Sequence, residues 1–241
     1  MSDILEELSR QRREDVPCVP DFAAAFSSPE IHVIAELKKA SPSEGLIRGD
    51  FDPVRLAGEL EGAGAAALSV LCEPHRFLGS EAYLRAVREV VRIPVLYKDF
   101  VTTPCQVAAA RVAGASAVLL IAAVLDDERL VRLLELTRDL GFSALVETHD
   151  EEEIDRAVAA GARIIGVNCR DLRTFKTDPS IVARLIGRIP SECVRIAESG
   201  IRTPEDVRAL HDAGANGFLI GTTLMRAVHP GEKLRELKGE Q

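Results

Sequence analysis

The stretch TPCQVAAARVAGASAVLL (Thr103–Leu120) contains the start of a helix, its end and the beginning of an apolar strand, and TPEDVRALHDAGANGFLI (Thr203–Ile220) repeats the pattern. In both copies the threonine is suited to cap a helix and the proline to occupy its first turn. The Ala-Gly-Ala triplet that follows is suited to end the helix before the chain enters a strand. The repeat therefore indicates two similar halves built from the same strand–helix unit.

Ala63–Ala65 and Ala160–Ala162 are two further copies of the triplet, and short apolar runs follow the helix-like stretches along the whole chain. Strands that alternate with helices are parallel and buried on both faces, and eight such units close into a barrel. The length of 241 residues also suits one barrel. The predicted strands are Val33–Lys38, Ala67–Cys72, Val95–Lys98, Ala117–Ala122, Ala144–Glu147, Ile164–Asn168, Val194–Glu198 and Gly217–Ile220.

The predicted fold class is therefore α/β, a single (βα)8 TIM barrel over residues 31–241 with a short N-terminal helical extension over residues 1–30. Ile4, Leu5 and Leu8 are expected to pack this extension against the barrel. The predicted helices are Val54–Ala63, Ala82–Val91, Gln106–Ala113, Glu128–Leu140, Ile154–Ala160, Pro179–Gly187, Pro204–Ala213 and Thr222–Arg226.

Composition excludes several classes of function. A net charge of −8 argues against nucleic acid as a partner, and no apolar run is long enough to span a membrane. The five cysteines are scattered and form no C-x-x-C pair, which favours a reducing cytoplasm and argues against a zinc site. The N-terminus has no basic segment followed by an apolar one, so no secretory signal is expected.

Charged residues gather at the predicted carboxyl ends of the strands, where barrels of this kind have their active sites. Two of them, Glu36 and Lys38, are two positions apart and therefore point to the same side of their strand. One such ion pair could merely close the top of the barrel. A whole set of lysines and carboxylates at one rim is instead typical of a site for proton transfer. The set consists of Glu36, Lys38, Lys98, Glu147, Asn168 and Glu198.

The last two strands are followed by glycines, which predict a phosphate site. Ser199-Gly200 follows the seventh strand, and Gly221-Thr222 follows the eighth at the start of a short helix. Backbone N–H groups in such positions form anion cradles, and barrels place them after strands seven and eight. Ordinary turn glycines would explain either pair alone, but their common position favours a phosphorylated substrate.

These motifs, in this order, resemble the indole-3-glycerol-phosphate synthase family of tryptophan biosynthesis. The resemblance extends from about Ile31 to Met225. It is carried by Glu36–Ser43 (ELKKASPS), Lys98–Phe100 (KDF), Glu147, Asn168–Leu172 (NCRDL), Glu198–Ile201 (ESGI) and Gly221–Met225 (GTTLM).

The resemblance implies a lyase that closes a pyrrole ring on 1-(2-carboxyphenylamino)-1-deoxyribulose 5-phosphate and then releases CO2 and water. No metal or organic cofactor is implied. Lys98 is similar to the group that protonates the ketone oxygen, and Asn168 would hold hydroxyls or the aniline nitrogen. The acid and base of the dehydration are to be sought among Lys38, Glu147 and Glu36, and the division of these duties stays open.

The resemblance also assigns residues that bind the small-molecule substrate. Lys38 and the backbone of Ser199, Gly200, Gly221 and Thr222 would hold the phosphate. Arg170 would meet a carboxylate or organise the rim. The aryl pocket would be lined by Phe77, Leu119 and Ile121, and further contacts would come from Ser41, Glu198 and Leu219. Cys169 departs from the family, which usually has Asn or Ser there, and a monomer is the working expectation.

Two other functions are compatible with a barrel. A non-catalytic phosphate-binding barrel would keep Ser199 and the glycines but would not need Glu147 or Lys98. A related isomerase or decarboxylase of phosphosugars would generally lack the Glu36-x-Lys38 pair together with Lys98-Asp99-Phe100. The joint presence of these residues favours the synthase.

Overall fold

Eight parallel strands close into a barrel in the computed structural model, which describes residues 19–168 and 179–240. The strands are β1 (His32–Leu37), β2 (Ala67–Leu71), β3 (Val95–Lys98), β4 (Ala117–Ile121), β5 (Ser143–Thr148), β6 (Ile164–Asn168), β7 (Val194–Glu198) and β8 (Gly217–Ile220). Each strand pairs with its neighbours in the chain, and β1 pairs with β8 to close the circle. The predicted (βα)8 barrel is thereby confirmed.

Helices alternate with the strands and surround the barrel. They are α1 (Pro53–Gly62), α2 (Glu81–Val90), α3 (Pro104–Val112), α4 (Asp127–Asp139), α5 (Glu151–Ala159), α6 (Pro179–Ile186), α7 (Pro204–Asp212), α8 (Thr222–Arg226) and α9 (Pro230–Lys238). A two-stranded hairpin, Ala40–Ser41 with Gly45–Leu46, follows β1, and short 3-10 turns occupy Ala23–Phe26 and Ala122–Val124. Ala122, predicted at the end of a strand, thus belongs to a turn.

The helix–strand junctions have the caps that their sequence indicates. The Thr203 hydroxyl accepts a hydrogen bond from the Asp206 backbone N–H at 3.2 Å, and the Asp206 carboxylate accepts one from the Thr203 N–H at 2.9 Å. At the other end of each repeat, Gly114 and Gly214 adopt φ angles of 91° and 103°. Only glycine takes this left-handed conformation readily, which explains why it ends both helices.

The predicted start of α5 was wrong by one helical turn, since α5 begins at Glu151 and not at Ile154. Glu151 and its two neighbours carry negative charge, so the apolar spacing used for the prediction did not include them. The Asp150 side chain caps the helix by accepting from the Glu153 N–H at 2.8 Å. Acidic side chains in a first turn also interact favourably with the positive end of the helix dipole.

Two aromatic residues close the amino-terminal end of the barrel. Phe22 and Phe26 are buried and belong to the same apolar cluster as Ile34 and Ile196 inside the barrel. A Cβ on Gly217, the first residue of β8, would lie 2.8 Å from the Phe26 ring. Residues 19–30 therefore pack at the end of the barrel opposite to the strand carboxyl ends. The predicted helix with Ile4, Leu5 and Leu8 lies outside the described residues.

Within the two ranges described, no helix combines the length and apolar character needed to cross a membrane.

Candidate active site

A cavity of about 700 Å³ opens at the carboxyl ends of the strands. It is lined by every predicted site residue that the structure describes, namely Glu36, Lys38, Ser41, Phe77, Lys98, Leu119, Ile121, Glu147, Asn168, Glu198, Ser199, Gly200, Leu219, Gly221 and Thr222. Arg170 and Cys169 lie outside the described residues. The cavity brings the predicted residues together, and their individual roles stay predictions.

Four ionisable residues form one layer at the floor of this cavity. They are Glu36 on β1, Lys98 on β3, Glu147 on β5 and Glu198 on β7, so alternate strands supply them. Layers of four side chains from alternate strands are the normal way in which such barrels fill their interior. Directly beneath, two positions earlier on each strand, lie the apolar residues Ile34, Leu96, Leu145 and Ile196. The site is thus the layer of the barrel interior nearest the carboxyl ends of the strands, and it consists of ionisable residues.

Lys98 lies between two carboxylates of this layer. Its Nζ is 3.2 Å from Glu147 Oε2 and 3.5 Å from Glu198 Oε2. Burial by itself would lower the pKa of Lys98, but the carboxylates of Glu147, Glu198 and Glu36 outweigh it and raise that pKa above its usual range. Lys98 is therefore held as an ammonium ion at neutral pH.

The two carboxylates beside Lys98 differ in protonation. Burial favours the neutral acid in both, but at Glu147 the charges of Lys98 and His149 prevail and lower the pKa below its ordinary value. At Glu198 burial, reinforced by the nearby Glu147 and Glu36, outweighs Lys98 and raises the pKa to about 8. Glu147 is consequently a carboxylate and Glu198 a carboxylic acid at neutral pH. Two neighbouring acids with pKa values moved apart are characteristic of sites for acid–base chemistry.

Glu36 and Lys38 form a second pair, with Lys38 Nζ 2.6 Å from Glu36 Oε2. Burial would raise the pKa of Glu36, but Lys38 and Lys98 lower it, so Glu36 is ionised. The carboxylate fits there because Gly221 has no side chain, since a Cβ would lie 2.1 Å from Glu36 Oε2. Gly166 makes the same room for Glu198, with 2.1 Å between its Cβ position and Glu198 Oε1.

The loop after β7 has an unusual backbone conformation. Ser199 and Gly200 follow one another with φ angles of 64° and 75°. A left-handed non-glycine residue is uncommon, and such residues concentrate at functional sites. The Thr223 hydroxyl donates to the Ile201 carbonyl at 2.6 Å and so joins this loop to α8.

The side of the cavity that carries Phe77 depends on a residue that the sequence did not single out, Glu73. The Glu73 carboxylate accepts hydrogen bonds from the backbone N–H groups of His75, Arg76 and Phe77, at 2.6–2.9 Å. These bonds fold the loop after β2 so that Phe77 lies 6.3 Å from the Phe100 ring, measured between centroids. An acidic residue just before a Pro-His-Arg loop was the available signal, because Asp and Glu often organise turns in this way.

His149 is a second residue that was missed. It follows β5 and contacts Glu147 from the side away from Lys98, with 3.4 Å between His149 Nε2 and Glu147 Oε1. The available signal was a histidine two residues after a carboxylate at the end of a strand, Glu147-x-His149.

A family model described as "Indole-3-glycerol phosphate synthase" matches residues 3–237. Of the relatives, a protein of that name from Lachnoclostridium phytofermentans is 49% identical over 217 residues, which cover 90% of this chain and 80% of the relative. Another of that name from Dehalococcoides mccartyi is 46% identical over 227 residues, covering 92% of this chain and 88% of the relative.

Solved structures with the same fold are more distant in sequence. A 3-hexulose-6-phosphate synthase from Salmonella typhimurium matches with a TM-score of 0.69 at 13% identity, covering 86% of this chain and 97% of the other. A thiamine phosphate pyrophosphorylase from Pyrococcus furiosus matches with a TM-score of 0.65 at 16% identity, covering 89% and 96%. At these identities the similarity is one of fold alone.

Proposed function

Because the chain belongs to the indole-3-glycerol phosphate synthase family, we propose that the layer of Glu36, Lys98, Glu147 and Glu198 carries out the reaction of that family. The enzyme is a carbon–carbon lyase that converts 1-(2-carboxyphenylamino)-1-deoxyribulose 5-phosphate into indole-3-glycerol phosphate, a step of tryptophan biosynthesis. The assignment of residues rests on the position of Lys98, which is buried on the floor of the cavity between the carboxyl groups of Glu147 and Glu198.

Lys98 acts in ring closure. The aryl carbon that bears the carboxylate attacks the ketone carbon of the sugar chain, and the C=O electron pair moves onto oxygen. A cationic donor fixed beside that oxygen stabilises the developing charge and supplies the proton. Lys98 is a prepositioned donor of this kind, because Glu147 and Glu198 hold its ammonium group in place. Loss of CO2 then restores the aromatic ring.

Dehydration needs an acid for the departing hydroxyl and a base for the proton that is released. Glu147 is the proposed base, since its contacts with Lys98 and His149 keep it ionised. Glu198 is the proposed acid. It keeps its proton because burial, together with the neighbouring Glu147 and Glu36, raises its pKa to about 8. The Glu36–Lys38 pair is a second candidate for moving protons on the other side of the layer.

The substrate is held at both ends of the cavity in this proposal. The phosphate lies against the backbone of Ser199, Gly200, Gly221 and Thr222 with Lys38 nearby, as the left-handed backbone after β7 supports. The aryl ring lies on the opposite, apolar side with Phe77, Leu119 and Ile121, and Leu219 adds to the apolar lining. Asn168, Ser41 and Glu198 are available to the hydroxyl groups between them.

The test is the appearance of indole fluorescence when purified protein is mixed with the substrate alone. We expect turnover without added metal and no loss after treatment with a chelator. Lys98→Ala should lower kcat at least about 1,000-fold while the melting temperature stays that of a folded protein. Lys238→Ala, which removes a lysine of α9 outside the cavity lining, is the matched control and should retain activity.

Two outcomes would contradict the proposal in different ways. Absence of fluorescence with the unmodified protein would contradict the function itself. Full turnover in Lys98→Ala would contradict the role of Lys98 and leave the family assignment intact.

The monomeric state and the cytoplasmic location are further parts of the proposal. Cys72, Cys105 and Cys193 are free thiols, as in proteins of reducing compartments. Light scattering at working concentration should give the mass of one chain, 26.1 kDa.

A further inference from the structure

The two oxygens of the Glu147 carboxylate have different partners. Oε2 faces Lys98 Nζ at 3.2 Å, and Oε1 faces His149 Nε2 at 3.4 Å. Glu147 is therefore held from two sides by nitrogen atoms of two elements, β3 and the segment after β5. Glu147 lines the cavity, whereas His149 is not among the described residues that do so. His149 thus reaches the reacting atoms only through Glu147.

His149 is anchored on its other side by α5. Glu153 Oε2 accepts a hydrogen bond from the His149 backbone N–H at 2.8 Å and lies 3.0 Å from Nδ1 of the ring. Asp150, which caps α5, binds the Glu153 N–H at 2.8 Å and so fixes the turn that carries Glu153. Glu147, His149 and Glu153 form a chain that runs from the cavity floor to the start of α5.

The geometry also determines the charge of the ring. An oxygen of Glu153 that already accepts a backbone N–H presents lone pairs to Nδ1, so Nδ1 carries a proton. Nε2 lies 3.4 Å from Glu147 Oε1, an ion-pair distance without hydrogen-bond geometry, and two carboxylates beside one ring favour protonation of both nitrogens. Burial by itself would lower the pKa of His149, but Glu147 and Glu153 outweigh it and raise that pKa to about 10.

We propose that His149, anchored by Glu153, is a positioning residue that keeps Glu147 ionised and oriented toward Lys98 during turnover. The inference rests on the proposed role of Glu147 as the base. A second cation beside Glu147 matters most in the step in which Lys98 gives its proton to the ketone oxygen. At that moment Lys98 no longer stabilises the carboxylate by charge, and the His149 imidazolium still does. Glu147 then remains a base for the dehydration that follows.

The experiment measures kcat and KM between pH 3.5 and 9 for His149→Gln and Glu153→Gln, by indole fluorescence, so that the acidic limb set by Glu147 lies within the range. In His149→Gln we expect kcat at pH 7 to fall about 10- to 100-fold, the range found when the partner that orients a functional group is removed. KM should change by less than about threefold, because His149 does not line the cavity. The acidic limb of the kcat profile should move upward by about one pH unit or more, since Glu147 loses a neighbouring cation. Glu153→Gln should move it in the same direction by less.

The matched control is His211→Gln, a histidine of α7 whose ring contacts the Pro29 carbonyl at 3.2 Å. Its profile should superimpose on that of the unmodified enzyme. A second, independent measurement is the 15N NMR spectrum of the histidine rings in the unmodified protein. It should show both nitrogens of His149 protonated at pH 8, and a neutral ring at pH 7 would overturn the inference.

A parallel Glu147→Gln variant distinguishes the proposed role of Glu147 as the base from the proposed role of His149 as its positioning residue. Retained turnover in Glu147→Gln would overturn the proposed role of Glu147 and this inference with it. Loss of turnover in Glu147→Gln, combined with an unshifted pH profile in His149→Gln, would overturn the inference alone.

Discussion

At the scale of single residues, two glycines on the inner face of the barrel leave room for different neighbouring side chains. The Cβ position of Gly166 on β6 is 2.1 Å from Glu198 Oε1, the end of a side chain of the site, and 3.3 Å from Leu145 Cδ1. The Cβ position of Gly217 on β8 is 2.8 Å from the Phe26 ring and from Ile196 Cδ1, which are fixed in the core. Gly166 therefore leaves space for a carboxyl group of the site, and Gly217 leaves space for the apolar packing at the closed end of the barrel.

Alanine at these two positions should have opposite consequences. Gly166→Ala displaces the Glu198 carboxyl, and we expect kcat to fall about 10- to 100-fold with little change in the midpoint of thermal unfolding. Gly217→Ala overpacks the closed end of the barrel and should cost about 1–3 kcal/mol of stability, with kcat per folded molecule unchanged. Urea unfolding and steady-state kinetics on both variants measure the two effects. Equal losses of stability in the two variants would contradict this division.

At the scale of elements, the catalytic layer follows from the alternation of each odd-numbered strand. Ile34-x-Glu36 on β1 and Leu145-x-Glu147 on β5 place a charged residue two positions after a core residue, on the same face. Strand positions and inward-facing residues could therefore be predicted from sequence. The partners of Lys98 could not, because they depend on distances across the barrel. The loop held by Glu73 was missed because an acidic residue before a turn indicates that it organises the turn but does not specify which backbone N–H groups it binds.

Two glycines, one inside helix α1 and one just after it, have opposite conformational requirements. Gly58 lies in the exposed interior of the helix with open space around its Cβ position, whereas Gly64 follows the helix with φ +85°. Gly58→Ala should raise stability by about 0.5–1 kcal/mol, because alanine loses less backbone entropy on folding. Gly64→Ala should lower it by about 1–2 kcal/mol, because its Cβ is strained in the left-handed region. Denaturant titration of each variant checks these values, and both should keep the turnover of the unmodified enzyme.

For the whole molecule, the two ends of the barrel differ in what they contribute. Phe22 and Phe26 close one end with apolar contacts, whereas the other end buries Glu36, Lys98, Glu147 and Glu198. The barrel and the position of its cavity could be predicted because eight similar units repeat along the chain. The closing residues could not, because two phenylalanines in a short turn show no periodicity that assigns them to an end. Buried charge needed for catalysis commonly lowers stability.

The effect of a buried ionisable group on folding stability can be measured at Glu198. Its pKa is about 8 in the folded protein and near 4.5 without burial, so between these values the folded state keeps a proton that the unfolded state has lost. Stability contributed by this group therefore falls as the pH rises from about 5 to about 8. Glu198→Gln has a similar shape and does not titrate. We expect its melting temperature to match that of the unmodified enzyme at pH 5 and to exceed it by roughly 10 °C at pH 8, because about 3–4 kcal/mol of the stability that the Glu198 proton contributes is lost between these pH values.

Turnover of Glu198→Gln should fall at both pH values, because the proposed proton donor is gone. Glu89→Gln, which neutralises an exposed carboxylate on α2, is the control and should leave the melting temperature unchanged at both pH values. If Glu198→Gln shifted the melting temperature equally at pH 5 and pH 8, Glu198 would not hold a proton in the folded enzyme at neutral pH. The acid of the dehydration would then have to be sought at the Glu36–Lys38 pair.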